Sequence, residues 1–521
     1  MSDYATDSLN PLNRGKACTN CRRRKIKCDG GRPVCSQCRL RPPRAGTPCQ
    51  FMAPEVPHSL ETPGEMLETI RRLTERVHDL EAQTGADSPR VYLNEPYRAS
   101  RTPGPGEGPS SASGRSSSSS NLPPDVVVQL VDAFLHHFLA SGTFFLDAVQ
   151  FRQLAILPPS GGHVSLGLLS TVYLWGSVLS ETPRAAYAPD AFLARALQHV
   201  SQDRASFSSR PHLILCILQA EILLSLYFLR APDPVLGRHH CAAASALALG
   251  ARLHVVRAPH KPFPAFPLST FLLPSPSDPA DELQRAAGFW AVVVLNNYWV
   301  AVDGGASFIP SDSSICSPWP SSSEAGATIS KFLSGDDRTG LSVPALLVKS
   351  TILFERVVAC GTAPPDPAAF SVLDRRLASF QAALPPLHTA PLTHAFVDLA
   401  ILRLHAPSAR ASPSGRARAL AAAARIIQVT EGINLGNGGA PTAEAIFGPI
   451  CATTASFYLA EMVSVYPRVG QSASAQREYR ELEKRLNYLM GAIAALAAHA
   501  PIAGHCLATL RSAYPGSTQD R

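Results

Sequence analysis

The sequence predicts a mainly α chain of two unequal parts, a small cysteine-rich N-terminal domain and a large all-α body. Three observations carry that expectation. Six of the twelve cysteines lie within residues 18–49. From about Asp125 onward, long segments place apolar residues at i, i+3, i+4 and i+7, the period of an amphipathic helix. Between the two regions runs a Ser/Gly/Pro tract, residues 98–124, whose composition cannot bury apolar surface. No run of strict alternation is long enough for a strand, and no fixed-period repeat marks a solenoid.

The elements follow in chain order. Residues 1–13 form a polar leader, and Met1–Asn10 has no apolar stretch, so no secretory signal is expected. Residues 14–51 are the cysteine-rich block. Residues 52–64 hold three prolines and read as a linker into a short charged helix, residues 65–84. Residues 85–124 are a flexible linker, residues 125–510 the helical body, and residues 511–521 a tail. The formal net charge is +7, but its distribution says more. Between Arg14 and Cys49 there are eleven Lys/Arg and one acid, Asp29, for +10, so the rest of the chain sums to −3. A basic block on a mildly acidic body points to an anionic partner for the small domain.

The cysteines are spaced Cys18-x2-Cys21-x6-Cys28-x6-Cys35-x2-Cys38-x10-Cys49. Each x2 pair puts two sulfurs on one turn, close enough to share a metal. Clustered cysteines in a chain expected to be intracellular read as metal ligands rather than disulfides. Six thiolates make two tetrahedral sites only if two sulfurs bridge both ions. Soft thiolates select zinc, and a saturated thiolate shell leaves no open position for catalysis. No histidine lies within residues 1–57, which argues against two-Cys, two-His fingers. The run Arg22-Arg23-Arg24-Lys25-Ile26-Lys27 sits between the second and third cysteines. Basic side chains interleaved with metal ligands suit a reader of the phosphate backbone. The same run also fits a nuclear localisation signal.

The stretch ACTNCRRRKIKCDGGRPVCSQC resembles the fungal binuclear zinc cluster DNA-binding domain. The resemblance implies two Zn2+ ions held by Cys18, Cys21, Cys28, Cys35, Cys38 and Cys49, with Cys18 and Cys35 as the bridges. It implies that Lys25 reads a CGG triplet in the major groove, while Arg22, Arg23, Arg24 and Lys27 mainly contact phosphate. Pro33 matches the proline that shapes the loop between the half-units. The last loop, Arg39–Pro48, is long for the family, yet loop closure grows so slowly with length that Cys49 stays the expected sixth ligand.

In the short helix, Met66, Ile70, Leu73, Val77 and Leu80 follow a 4-3-4-3 spacing, the d-a-d-a-d pattern of a coiled coil. Members of the resembled family commonly dimerise through such a segment, which implies a homodimer bringing two clusters to two triplets.

In the body, helices are expected near residues 163–180, 189–203, 211–230, 234–253, 280–302, 342–360, 370–384, 393–406, 415–431, 444–465 and 476–499. Another opens at Pro124-Asp125. The longest apolar run, Leu213–Leu229, contains Gln219 and Glu221 and reads as a buried core helix rather than a membrane span. Residues 237–254 and 282–310 resemble the family's middle regulatory domain, covering roughly 125–330. His239-His240-Cys241 and His136-His137 look like metal ligands, but neighbours on a helix point about 100° apart and do not converge. Phe289, Trp290, Tyr298 and Trp299 read as core, and Asp303-Gly304-Gly305 as a helix-ending turn. No nucleophile elbow, phosphate loop or dinucleotide fingerprint is present.

The function expected is that of a nuclear, sequence-specific regulator of RNA polymerase II transcription, not an enzyme, acting on double-stranded DNA as a homodimer. The alternative is a helical ligand sensor or protein-interaction scaffold whose zinc cluster only holds structure. A small-molecule or protein effector is a further candidate partner of the helical domain.

Overall fold

A computed structural model describes residues 17–26, 28–29, 34–40, 49, 72, 122–141, 143–157, 164–180, 189–206, 210–230, 233–256, 273–309, 315–321, 329–337, 339–361, 366–433 and 441–513. The chain divides into two compact units, Met1–Arg115 and Ser116–Arg521. Among the described residues there is no strand. Among its described residues the first unit has the short helices α1 (Thr19–Arg24) and α2 (Ser36–Leu40). The expected dimerisation residues Met66, Ile70, Leu73, Val77 and Leu80 lie outside the described residues.

The second unit is all-α, as its periodicity predicts. Its helices are α3 (Pro124–Ser141), α4 (Ala148–Ala155), α5 (Leu166–Leu179), α6 (Pro189–Ser206), α7 (Ile214–Arg230) and α8 (Pro234–Gly250). Then come α9 (Pro279–Asp303), α10 (Ile329–Ser334), α11 (Val343–Ala359), α12 (Pro367–Ala382) and α13 (Pro391–His405). The last four are α14 (Pro413–Glu431), α15 (Pro441–Val469), α16 (Ala473–Ala497) and α17 (Pro501–Ala513). Chain neighbours pack on one another: α5 on α6, α7 on α8, α13 on α14 and α15 on α16.

Helix starts are set by capping. Asp233, Asp278, Asp366 and Ser412 each precede a proline, and each side chain accepts a backbone N–H of the first turn. Proline suits the first helical position because its missing N–H has no partner there anyway. These Asp-Pro and Ser-Pro pairs explain why α12 and α14 begin two to three residues earlier than apolar periodicity alone suggests. Periodicity also passes over α4, α10 and α17, which are short.

Helix α9 ties the unit together, packing against α7, α8, α11 and α15. All four of its expected core aromatics are buried. Trp290 donates its indole N–H to the Pro318 carbonyl (2.6 Å) and stacks on Trp319. Trp299 donates to the Ser225 hydroxyl (2.8 Å), and Tyr298 stacks on Phe396 of α13. The helix ends as expected at Gly304, whose left-handed φ of 67° lets its N–H reach the Val300 carbonyl.

Helix α7 is buried along most of its length, and the Gln219 and Glu221 side chains within it have partners. Gln219 accepts the Phe145 N–H (3.0 Å) and donates to the Thr143 carbonyl (3.3 Å). Glu221 takes His240 Nδ1 at 2.6 Å and Arg204 Nε at 3.3 Å. The His240 ring is thus engaged in a core hydrogen bond to Glu221, stacked on Phe228, and not turned toward a metal. Among the described residues one helix, Ala445–Val469, is long and apolar enough to cross a membrane, but 67% of its most apolar window is buried within this fold. A core helix meets the same criteria.

Candidate metal centre and nucleic-acid interface

Both half-units of the cysteine block fold alike. Cys18 stands just before α1 and Cys35 just before α2, while Cys21 and Cys38 lie one turn into each helix. Cys18 takes the N-cap role, its sulfur accepting the Cys21 N–H at 3.4 Å. The x2 spacing therefore turns both sulfurs of a pair to one side. The two helices pack on each other. Asp29, which follows the third cysteine, ties the half-units together: its carboxylate accepts the Ser36 N–H (3.0 Å) and the Ser36 hydroxyl (2.5 Å) at the start of α2. The sequence reading passed over this capping role. The signal was available, an Asp-Gly step ahead of a Cys-Ser helix start.

The sulfurs form two quartets. Cys18, Cys21, Cys28 and Cys35 lie within 4.8 Å of one another, and so do Cys18, Cys35, Cys38 and Cys49. Cys18 and Cys35 belong to both. Measured separations are 3.8 Å for Cys18–Cys35, 3.7 Å for Cys18–Cys38 and 3.6 Å for Cys21–Cys35. Four sulfurs about 2.3 Å from a tetrahedral zinc stand about 3.8 Å apart, so the donor set fits the ion in type, number and spacing. Cys49 joins its quartet across the ten-residue loop, and its sulfur accepts the Cys35 N–H at 3.5 Å. Among the described residues no other group of cysteines, histidines or carboxylates gathers in this way.

Crowding sets the thiols against one another. Burial, then the neighbouring Cys18, pushes the Cys21 thiol up to about 12, and burial pushes Cys35 up as well. Burial would also raise Cys18, but the Cys21 N–H and the thiols of Cys21, Cys49 and Cys38 outweigh it and lower the group to about 6. A dication deprotonates the thiols it coordinates and so relieves this crowding.

Residues 16–55 match the fungal Zn(2)-Cys(6) binuclear cluster domain. This segment is a zinc-binding, DNA-binding domain of the kind found in transcription factors. No curated protein and no solved structure matches the chain. The domain's chemistry is recognition rather than catalysis, in keeping with a thiolate shell that leaves no open metal position.

The basic run of this domain differs in one respect from a continuous basic helix. Helix α1 stops at Arg24. Lys25 takes a left-handed conformation (φ 53°), and the Ile26 N–H bonds back to the Cys21 carbonyl at 3.1 Å. That six-to-one bond is a Schellman close, which usually takes glycine where Lys25 stands. Arg23, Arg24, Lys25 and Ile26 are exposed. Arg22 lies within α1, while Lys27 and Pro33 lie outside the described residues. The helix thus presents arginines, and Lys25 projects from the cap beyond it.

Proposed function

We propose that the chain is a nuclear, sequence-specific regulator of RNA polymerase II transcription that binds CGG-type triplets as a homodimer. The observation that supports this best is the pair of sulfur quartets sharing Cys18 and Cys35 beneath an exposed basic helix end. In this reading the two quartets hold two Zn2+ ions, with Cys18 and Cys35 as bridging thiolates. Bound zinc supplies a rigid cross-link between the half-units.

The chain's own residues then divide the recognition work. Arg22, Arg23, Arg24 and Lys27 contact phosphate, and their contribution is independent of sequence and falls with salt. Lys25, held at the helix cap, reaches base edges, where a guanine O6/N7 pair is the natural acceptor for a cation. Met66, Ile70, Leu73, Val77 and Leu80 form the dimer seam, and the helical body serves as the middle regulatory domain of the family.

Binding of Lys25→Ala and Arg24→Ala proteins to triplet-bearing and scrambled duplexes tests the division. Lys25→Ala is expected to lose roughly 1–3 kcal/mol on the triplet duplex only, and Arg24→Ala to lose affinity on both with a shallower salt slope. Both residues are non-glycine with Lys25 at positive φ, so alanine there adds no new backbone strain. Equal losses on both duplexes for Lys25→Ala would overturn its role. A zinc-loaded wild type that does not distinguish the duplexes would leave a structural cluster on a scaffold protein.

A further inference from the structure

Helix α13 runs on past His405 into a 3-10 turn, Ala406–Ser408. Arg403, Pro407 and Arg410 recur there at helical spacing and share one face. Opposite them, α15 presents Thr453, Ser456, Phe457 and Ala460, again at i, i+3, i+4 and i+7. The two faces flank an open cleft of about 550 Å3.

The cleft is apolar at its base and cationic at its mouth. Leu402 and Phe457 are buried beneath it, whereas Arg403 and Arg410 are exposed. Nearby arginines have carboxylate partners: Arg416 holds Glu461 and Glu478, Arg418 holds Asp374, and Arg425 holds Asp398. Arg403 and Arg410 have no such partner among the described residues. Glu461, the one acid among the lining residues, is engaged by Arg416, which it shares with Glu478. The Ser456 hydroxyl donates to the Ala452 carbonyl and so turns its acceptor side outward.

We propose that this cleft binds a monocarboxylate with an apolar tail or ring. The carboxylate bridges Arg403 and Arg410, which present planar donor forks suited to it, and the apolar part lies on Phe457 and Pro407. The Thr453 side chain also lines the cleft. A nucleotide would need more phosphate donors than two arginines and one hydroxyl supply. The site lies wholly within the Ser116–Arg521 unit and does not depend on the DNA-binding reading.

Calorimetric titration of the full zinc-loaded chain with octanoate tests the proposal, with 1-octanol and octylamine as the neutral and cationic counterparts. Octanoate is expected to bind, and the two counterparts to bind roughly tenfold or more weakly, since the charge-assisted bonds are lost. Arg403→Gln should weaken octanoate by a similar factor. Ala460→Trp, at an exposed position, should block the cleft while both arginines remain. Helical circular dichroism and melting temperature establish that each variant is folded. The proposal fails if octanoate does not bind at millimolar concentration or if 1-octanol binds as tightly. It fails equally if folded Arg403→Gln and Ala460→Trp proteins both keep wild-type affinity.

Discussion

Cys35 and Cys49 are both cysteines of one domain, yet their removal should have unequal consequences. Cys35 belongs to both sulfur quartets and Cys49 to one. Cys35→Ala therefore takes each quartet from four sulfurs to three, whereas Cys49→Ala leaves Cys18, Cys21, Cys28 and Cys35 complete. A structural zinc site is worth about 10–16 kcal/mol at neutral pH, so one sulfur in four accounts for roughly 3 kcal/mol, or about a hundredfold in affinity. The assay is metal content per chain by mass spectrometry after dialysis against a zinc buffer. The wild type should hold two zincs, Cys49→Ala one and Cys35→Ala neither. The six cysteines beyond residue 49 supply no background, because none of them joins a ligand group among the described residues. Equal loss in the two variants would refute the shared-sulfur reasoning. Retention of both ions by Cys49→Ala would remove Cys49 from the ligand set.

Three other expectations follow from the geometry. Lys25→Gly should raise the domain's stability by about 1 kcal/mol, because glycine takes the left-handed cap without strain, while triplet preference is lost; zinc retention against a chelator and duplex binding measure the two effects separately. Gly176→Ala would put a Cβ 2.3 Å from the Leu130 backbone oxygen, where α5 crosses α3. No side chain there can swing aside, so a loss of about 3 kcal/mol is expected in thermal unfolding of the helical unit, and an unchanged melting temperature would contradict the crossing. Burial alone would raise the Asp337 carboxyl, but Thr339, Lys349 and Trp319 hold it below the ordinary aspartate value. A depressed acid adds stability above its unfolded pKa, near 4, and loses it as pH falls through the folded value. Asp337→Asn should thus cost about 3 kcal/mol at pH 7, where it leaves the buried Lys349 without its counter-charge, and the gap to wild type should narrow below about pH 4. Melting temperatures across pH 2–7 would show a constant gap if that reasoning is wrong.

What the sequence determines by itself here is whatever depends on residues close together in the chain. Helix periodicity places nearly every long helix of the body, because the apolar stripe that faces a core recurs every three to four residues whatever it faces. The cysteine spacing already picks out the six sulfurs that the structure gathers into two quartets, because each x2 pair puts two sulfurs on one turn. Even the Asp-Pro helix starts are legible once capping is weighed beside periodicity.

Other features exist only in the tertiary structure. That Cys18 and Cys35 are common to both quartets requires two half-units to fold against each other. Spacing counts the sulfurs and gives no distances between them. The left-handed cap that sets Lys25 apart from the arginines of α1 is a backbone state that no residue type in the run announces. The partners of Glu221 are Arg204 and His240, on the helices either side, and nothing in an apolar run says which side chains will meet its one acid. The cleft below Arg403 and Arg410 comes from a meeting of α13 with α15, some fifty residues apart in the chain. Local energetics fixes turns, caps and stripes, but burial and charge pairing are decided by which surfaces meet, and only the packed fold brings them together.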